Sequence, residues 1–292
     1  MNVKYSYHDL YKAARTLLRQ VDGENAAFTA QQLVASATDR TVSQLVADYP
    51  LTVFQRDVEK VNEMVQRHLA GEPLAYILGQ WEFHGLTLHI TPDVLIPRDD
   101  TEAVCELAIG KVMQLPQNPR VLDLCAGSGC IGLAIAAKIK DARVTLAEIS
   151  PEAIRIAKKN IQDNHLAGRV TCVQMDVRQE PPRFLGKYDL IVSNPPYVTA
   201  EQMEYLDPSV KNYEPRLALY GGLDGLDYYR AITKNFTPIL KPGGFICFEF
   251  GMGQEAEVCH ILMEHGYELG RLVRDSGERA RAVLAQKPDR EE

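Results

Sequence analysis

The run KYDLIVSNPPYVT, residues 187–199, sets an amide, two prolines and an aromatic ring side by side. Two consecutive prolines remove two backbone donors and fix two φ angles, so a strand built from YDLIV has to stop at Asn194. An apolar, β-branched run of this kind fills a strand buried on both faces of a parallel sheet. Asn194 is thus presented at a strand's carboxyl end on the stiff Pro195-Pro196 turn, with Tyr197 just beyond. In open α/β sheets this is the place where ligands bind.

A second group lies in VLDLCAGSGCIGLAIA, residues 121–136, where a strand ends at a Gly-rich turn that opens directly into a helix. Gly127 and Gly129 let the backbone approach a ligand, and the helix N-terminus favours an anionic group. Gly127-x-Gly129-x-x-Gly132 also satisfies the dinucleotide fingerprint, with Glu148 at a distance suited to a ribose. The same glycines could serve strand–helix packing alone. Asp123 separates these readings, because it stands inside the strand where a dinucleotide fold more usually carries an apolar residue.

The elements that must position these groups follow from periodicity. From about Arg120 the chain alternates strand and helix: RVLDLC, a helix from Gly129 to about Lys140, RVTLAEI, a helix from Pro151 to about Asn164, RVTCVQM, then YDLIVS. Alternation of this kind predicts right-handed βαβ units and a parallel sheet covered by helices, an α/β fold. GGFICFEF adds a strand, QEAEVCHILMEHG a helix, and ELGRLVRDS with RAVLAQ a final strand pair, before a loose tail, KPDREE. The first seventy or so residues read as helices, with core stripes at Leu10, Ala14, Leu17, Leu18 and Val21 and at Phe54, Val58, Val61, Val65 and Leu69. Between the two regions, EFHGLTLHI predicts a hairpin around a Gly turn. The expected division is a helical domain over residues 1–79, a β-hairpin linker over 80–97 and the α/β domain over 98–292.

Composition narrows the function. The 292 residues are 46% hydrophobic and 24% charged, ample for a core, and the net charge of −7 argues against affinity built on phosphate neutralisation. A protein or small-molecule partner suits this balance better. Six cysteines without a C-x-x-C pair read as reduced thiols, and seven scattered histidines without H-E-x-x-H predict no metal site. The start lacks a signal peptide's apolar core and no run is long enough to span a bilayer, so a cytoplasmic location is expected.

Asp-x-x-x-Gly-x-Gly followed by an acidic end to the second strand resembles the class I S-adenosylmethionine-dependent methyltransferases. The resemblance implies a Rossmann-like, seven-stranded domain. It assigns S-adenosylmethionine contacts to Asp123, Cys125, Ala126, Gly127, Ser128, Gly129, Glu148, Ile149, Asp176, Val177, Asn194, Arg98 and Thr101. Glu148 would pair with the ribose hydroxyls, and Asp176 with the adenine amino group beside Val177. An acidic pocket of this kind suits a cationic sulfonium.

Asn194-Pro195-Pro196-Tyr197 in turn resembles the (Asp/Asn/Ser)-Pro-Pro-(Tyr/Phe/Trp) motif of methyltransferases acting on planar nitrogen, either base amines or side-chain amides. It implies catalytic roles for Asn194, Pro195, Pro196 and Tyr197, the first two as acceptors for both N–H bonds and the ring as a flat packing surface. More narrowly, residues 71–106, 121–136, SNPPYV and YEPRLALYGGLDGLDYYRAI resemble the protein-(glutamine-N5) methyltransferases that modify peptide chain release factors, the HemK/PrmC family. The resemblance covers nearly the whole chain. It implies as methyl acceptor the glutamine of the release factor's Gly-Gly-Gln motif and a helical domain that grips that partner; with the acidic net charge and no added base-recognition domain, no nucleic acid substrate is expected, and a monomer is the default expectation. Methylation of base amines in DNA or RNA, an NAD-dependent oxidoreductase and a non-catalytic adaptor are the alternatives. One departure is visible: where the family often shows Pro-Arg-Pro-Glu-Thr-Glu, this chain has Pro97-Arg98-Asp99-Asp100-Thr101-Glu102.

Overall fold

A computed structural model describes residues 5–274 and 279–289. The expected strand ELGRLVRDS runs at its end, and the expected tail KPDREE at residues 290–292, outside the described residues. So do Met1 to Lys4, the start of the segment read for a signal peptide. Two compact units emerge, one of residues 1–79 with 208–213 and one of residues 80–207 with 214–292.

The first unit is helical. Helices α1 (Tyr7–Asp22), α2 (Ala26–Ala37), α3 (Val42–Ala47), α4 (Gln55–Leu69) and α5 (Leu74–Leu78) follow one another. Ser6 starts α1 with a capping box closed by Asp9, and Thr41 starts α3 with one closed by Gln44. Leu10, Ala14, Leu18, Leu33, Val34, Leu45, Val61 and Val65 make the core. The expected stripes need correction at three positions. Leu17 and Val21 are 39% and 54% exposed because they lie on the flank of α1, and Phe54 is 62% exposed because it is the N-cap of α4.

The second unit opens with strands β1 (Gln80–Phe83) and β2 (Leu86–His89), an antiparallel hairpin. His84 and Gly85 form its two-residue turn, both with positive φ (50° and 74°), the geometry that matches strand twist. The hairpin is followed by helix α6 (Thr101–Val112), which periodicity did not single out.

Strands β3 (Arg120–Leu124), β4 (Arg143–Glu148), β5 (Val170–Gln174), β6 (Tyr188–Ser193), β7 (Leu240–Glu249), β8 (Glu268–Arg274) and β9 (Ala280–Gln286) build one sheet in the order β5-β4-β3-β6-β7-β9-β8. The pairs from β5 to β7 are parallel and those involving β9 are antiparallel, which is the seven-stranded α/β architecture the sequence implies. Helices α7 (Cys130–Lys138) and α8 (Pro151–Asp163) are the crossovers around β4. Short helices α9 (Pro208–Tyr213) and α10 (Arg216–Leu219) precede α11 (Asp227–Phe236), and α12 (Glu255–Glu264) follows β7.

The chain steps outward from β3 to β5 and then returns to lay β6 on the other side of β3. The resulting switch point opens a crevice beyond Leu124 and Ser193. Among the described residues no helix is long and apolar enough to cross a membrane.

Candidate active site

Strand β3 delivers its last residues into a strained turn. Cys125 has φ 58°, unusual for a side chain other than glycine, and Gly127 (φ 53°) and Gly129 (φ 82°) follow before α7 begins. The glycines have different jobs. A Cβ on Gly127 would meet nothing within 4 Å, whereas one on Gly132 would sit 2.3 Å from Leu146 Cδ2 and 2.9 Å from Asp123 Oδ2. Gly127 is therefore open to the crevice, and Gly132 is a packing glycine that lets α7 sit close on the sheet.

Asp123 is buried, and its Oδ2 accepts the Gly132 amide at 2.8 Å. Its Oδ1 is buried without a partner. Burial pushes its pKa up to about 7, opposed by the Gly132 hydrogen bond and reinforced by the charge of Glu148. At the end of β4, Glu148 accepts from Gly127 N at 2.9 Å through Oε2 and from Ile149 N and Ser150 N at 2.8 and 3.0 Å through Oε1. It thereby pins the glycine turn to the next loop.

These loops surround a cleft that encloses about 840 Å³ of empty space, its solvent-facing mouth included. Asp123, Cys125, Ala126, Gly127, Ser128, Glu148, Ile149, Thr101, Asn194 and Pro196 line it. The acceptors fit a cationic cofactor with hydroxyl and amino groups: two carboxylates, one with an oxygen lacking any partner, beside a turn whose open glycine leaves room for close approach.

Six expected site residues lie outside this lining. Gly129 packs under Leu146 Cδ1, which a Cβ would approach to 2.8 Å. Pro195 is buried, and Val177 joins the hydrophobic core. Asp176 stands two residues past the end of β5 rather than at it, and its carboxylate is taken by the guanidinium of Arg178 through two contacts of 2.9 Å, which holds its pKa below the ordinary value. Arg98 gives its guanidinium to the buried carboxylate of Glu214. The Tyr197 ring is turned toward Gly251, where a Cβ would come within 2.9 Å of Cδ2, and burial raises its phenol well above the ordinary value.

Periodicity and motif reading missed other groups. Val94, Leu95 and Pro97 after the hairpin form one wall and Pro215, Leu217 and Ala218 another, and Tyr228 adds an aromatic face. Glu214, the acid that opens EPRLAL, holds the two walls together through Arg98 and through Ile96 N at 3.4 Å. Glu249, buried at the end of β7, is the least expected, since FICFEF reads simply as a strand. Its signal was a lone carboxylate in an otherwise apolar run. The departure at Asp100 also has a partner, Arg281 Nη2 at 2.9 Å.

Comparison with known proteins completes the description. The chain matches family models described as the PrmC N-terminal domain, over residues 9–79, and the methyltransferase small domain, over residues 107–208. It is 36% identical to a release factor glutamine methyltransferase of Clostridium acetobutylicum over 93% of this chain and 95% of that one. It is 39% identical to one of Geobacter sulfurreducens (87% of each chain) and 33% identical to one of Agrobacterium fabrum (93% and 94%). A methyltransferase structure from Pyrococcus furiosus superposes on 78% of this chain and 99% of that one, with TM-score 0.52 at 18% identity, and so speaks for the fold.

Proposed function

The chain belongs to the family of release factor glutamine methyltransferases, and from that membership and the cleft's geometry we propose that it methylates the side-chain N5 of the glutamine in the Gly-Gly-Gln motif of peptide chain release factors. It is an S-adenosylmethionine-dependent enzyme, and the dinucleotide alternative falls away. When bound, the cofactor supplies an electrophilic methyl group on a cationic sulfur. Asp123, Glu148 and the Gly127 backbone are the residues that would hold it.

An amide nitrogen is a weak nucleophile because its lone pair is delocalised into the carbonyl. Fixed acceptors on both N–H bonds draw the nitrogen toward tetrahedral geometry and aim the lone pair. The Asn194 side-chain oxygen and the Pro195 carbonyl are the acceptors proposed here, on a turn that two prolines stiffen. No strong base is required, since the proton is acidic once the nitrogen carries an added substituent and a positive charge. Orientation can supply about 7–11 kcal/mol of the barrier reduction. The single observation that carries this reading is that Asn194 and the Asp123–Gly127 turn end adjacent strands and line one cleft.

The helical unit is the proposed grip on the release factor. Leu17 and Val21, one turn apart on α1, together with Phe28 and Phe54, leave apolar surface exposed that a protein partner can cover. A monomer acting on a protein in the cytoplasm, with no nucleic acid substrate, completes the proposal, in keeping with the acidic net charge of −7. The test is transfer of radiolabelled methyl to a release factor, to its Gly-Gly-Gln variant with Gln replaced by Ala, and to duplex DNA. Label on the unaltered factor alone is expected; label on DNA, or equal label on the variant, would overturn the substrate assignment.

A further inference from the structure

Strands β6 and β7 run parallel with Ser193 opposite Phe248, so the next residues, Asn194 and Glu249, stand side by side just past the last paired rung. On the far side β9 sets Ala282 opposite Glu249 and seals it from solvent. Asn194 Nδ2 donates to Thr101 Oγ1 at 3.2 Å, and the polar side chains of both residues act on the Glu249 carboxyl group. Thr101 is buried too, and Glu249 Oε2 has no hydrogen-bond partner. The same segment steadies the rest of the turn. Gln254 Nε2 donates to the Tyr197 carbonyl at 3.0 Å, and Gly251 leaves the space that the Tyr197 ring fills.

We propose that Glu249 is a positioning residue for methyl transfer, holding the amino side of the Asn194 carboxamide so that its oxygen is the atom presented to the substrate amide. This rests on the reading of Asn194 as an acceptor for that amide. A carboxamide can turn over and exchange its oxygen for its amino group, which would put a donor where an acceptor is needed. An ionised carboxylate only accepts hydrogen bonds, so it selects the amino side of Asn194. A protonated acid can donate as well as accept, and no longer discriminates.

Burial pushes the pKa of Glu249 up to about 7, opposed by the polar side chains of Thr101 and Asn194. The charged groups that act on it are Asp100, which raises it, and Arg281, which lowers it; these two pair with each other at 2.9 Å. The phenols of Tyr197 and Tyr229 and the thiol of Cys130 feel its charge in turn. The orienting contact is therefore made above the titration and lost below it.

The experiment pairs two readouts on the full chain carrying isotope-labelled asparagine. The side-chain amide resonances of Asn194 are followed against pH in the wild type and in Glu249→Gln, and kcat and KM for a release factor are measured across the same range. In the wild type the Asn194 resonances should shift through a titration near 7, with kcat falling as the pH drops through it. In Glu249→Gln the Asn194 resonances should not titrate, and the fall in kcat that tracks them should be lost, leaving only the dependence due to Asp123. Above the titration, kcat should be lower by about tenfold to a hundredfold, with KM and S-adenosylhomocysteine affinity within about twofold of wild type. Asn194 resonances indifferent to pH in the wild type would overturn the proposal without recourse to any variant, as would an unchanged kcat in Glu249→Gln. A titrating Asn194 in a wild type that transfers no methyl to the release factor would support the coupling and overturn the substrate assignment instead.

Discussion

Asn160, buried in the last turn of α8, donates from Nδ2 to the carbonyl of Ser128 at 2.9 Å. The same side chain accepts from His89 N at 2.6 Å and donates to His89 O at 3.2 Å, so one amide ties the glycine turn to the hairpin. The hairpin is thus part of the scaffold of the cofactor turn. Asn160→Ala should destabilise the chain by about 1–3 kcal/mol for each buried group left without a partner, and weaken S-adenosylhomocysteine binding through the loosened turn. Thermal melting and calorimetric titration measure the two effects, and unchanged values in both would show that the hairpin and the turn are independent.

Asn194→Ala removes the proposed acceptor while leaving Asp123, Glu148 and Gly127 in place. Turnover should fall by about a hundredfold to a thousandfold, the loss expected for one fixed electrostatic partner, with S-adenosylhomocysteine affinity retained. Equal loss of binding and turnover would assign Asn194 to the cofactor pocket or to folding.

Two glycines of one motif should respond in opposite ways. Gly132→Ala brings a methyl to 2.3 Å from Leu146 Cδ2, and such overpacking costs about 1–3 kcal/mol of stability. Gly127→Ala meets open space, so beyond the strain of its positive φ it should spare the fold and lower cofactor affinity. Urea unfolding and ligand titration of both variants separate the outcomes. A Gly127→Ala protein that binds cofactor normally would remove that turn from the pocket.

Asp123 and Glu249 carry a stability signature in pH. Burial lifts both to about 7 in the fold, from ordinary values of 3.8 and 4.5. Each therefore keeps a proton in the fold that the unfolded chain has already released. Their contribution is fully present below the ordinary values and is lost as pH rises through 7, at up to about 1.4 kcal/mol per pH unit for each group. Unfolding free energy measured across this window should fall less steeply in the Asp123→Asn, Glu249→Gln double variant than in the wild type. Equal slopes would mean that neither carboxyl group titrates abnormally.

Much of the architecture was legible because it rests on local rules. Apolar runs punctuated by glycines and prolines marked β3 to β7, and the hairpin was signalled by alternation around Gly85. Helix α6 was not legible, since it is apolar on most faces and gives no stripe: Val104, Cys105, Leu107, Ala108 and Ile109 are all buried. The wall formed by residues 214–219 was quoted for its resemblance, yet no periodicity predicts that Pro215, Leu217 and Ala218 face the cleft. The lining residues Asp123, Gly127, Glu148 and Asn194 were found because strand ends are where α/β sheets bind ligands. Glu249 and Glu214 were missed because their partners, Asn194 and Arg98, lie 55 and 116 residues away, and only the fold brings them together.

The central claim is that the methyl group arrives on the side-chain nitrogen of one glutamine. It is tested most directly by fragment mass spectrometry of a release factor treated with the enzyme and S-adenosylmethionine. The account requires a gain of the mass of one methylene group, confined to the Gly-Gly-Gln glutamine, released as methylamine on acid hydrolysis and formed about a hundredfold to a thousandfold more slowly when Asn194→Ala replaces the wild-type enzyme. A methyl group on any other residue, or on the glutamine in equal yield from Asn194→Ala, would contradict it.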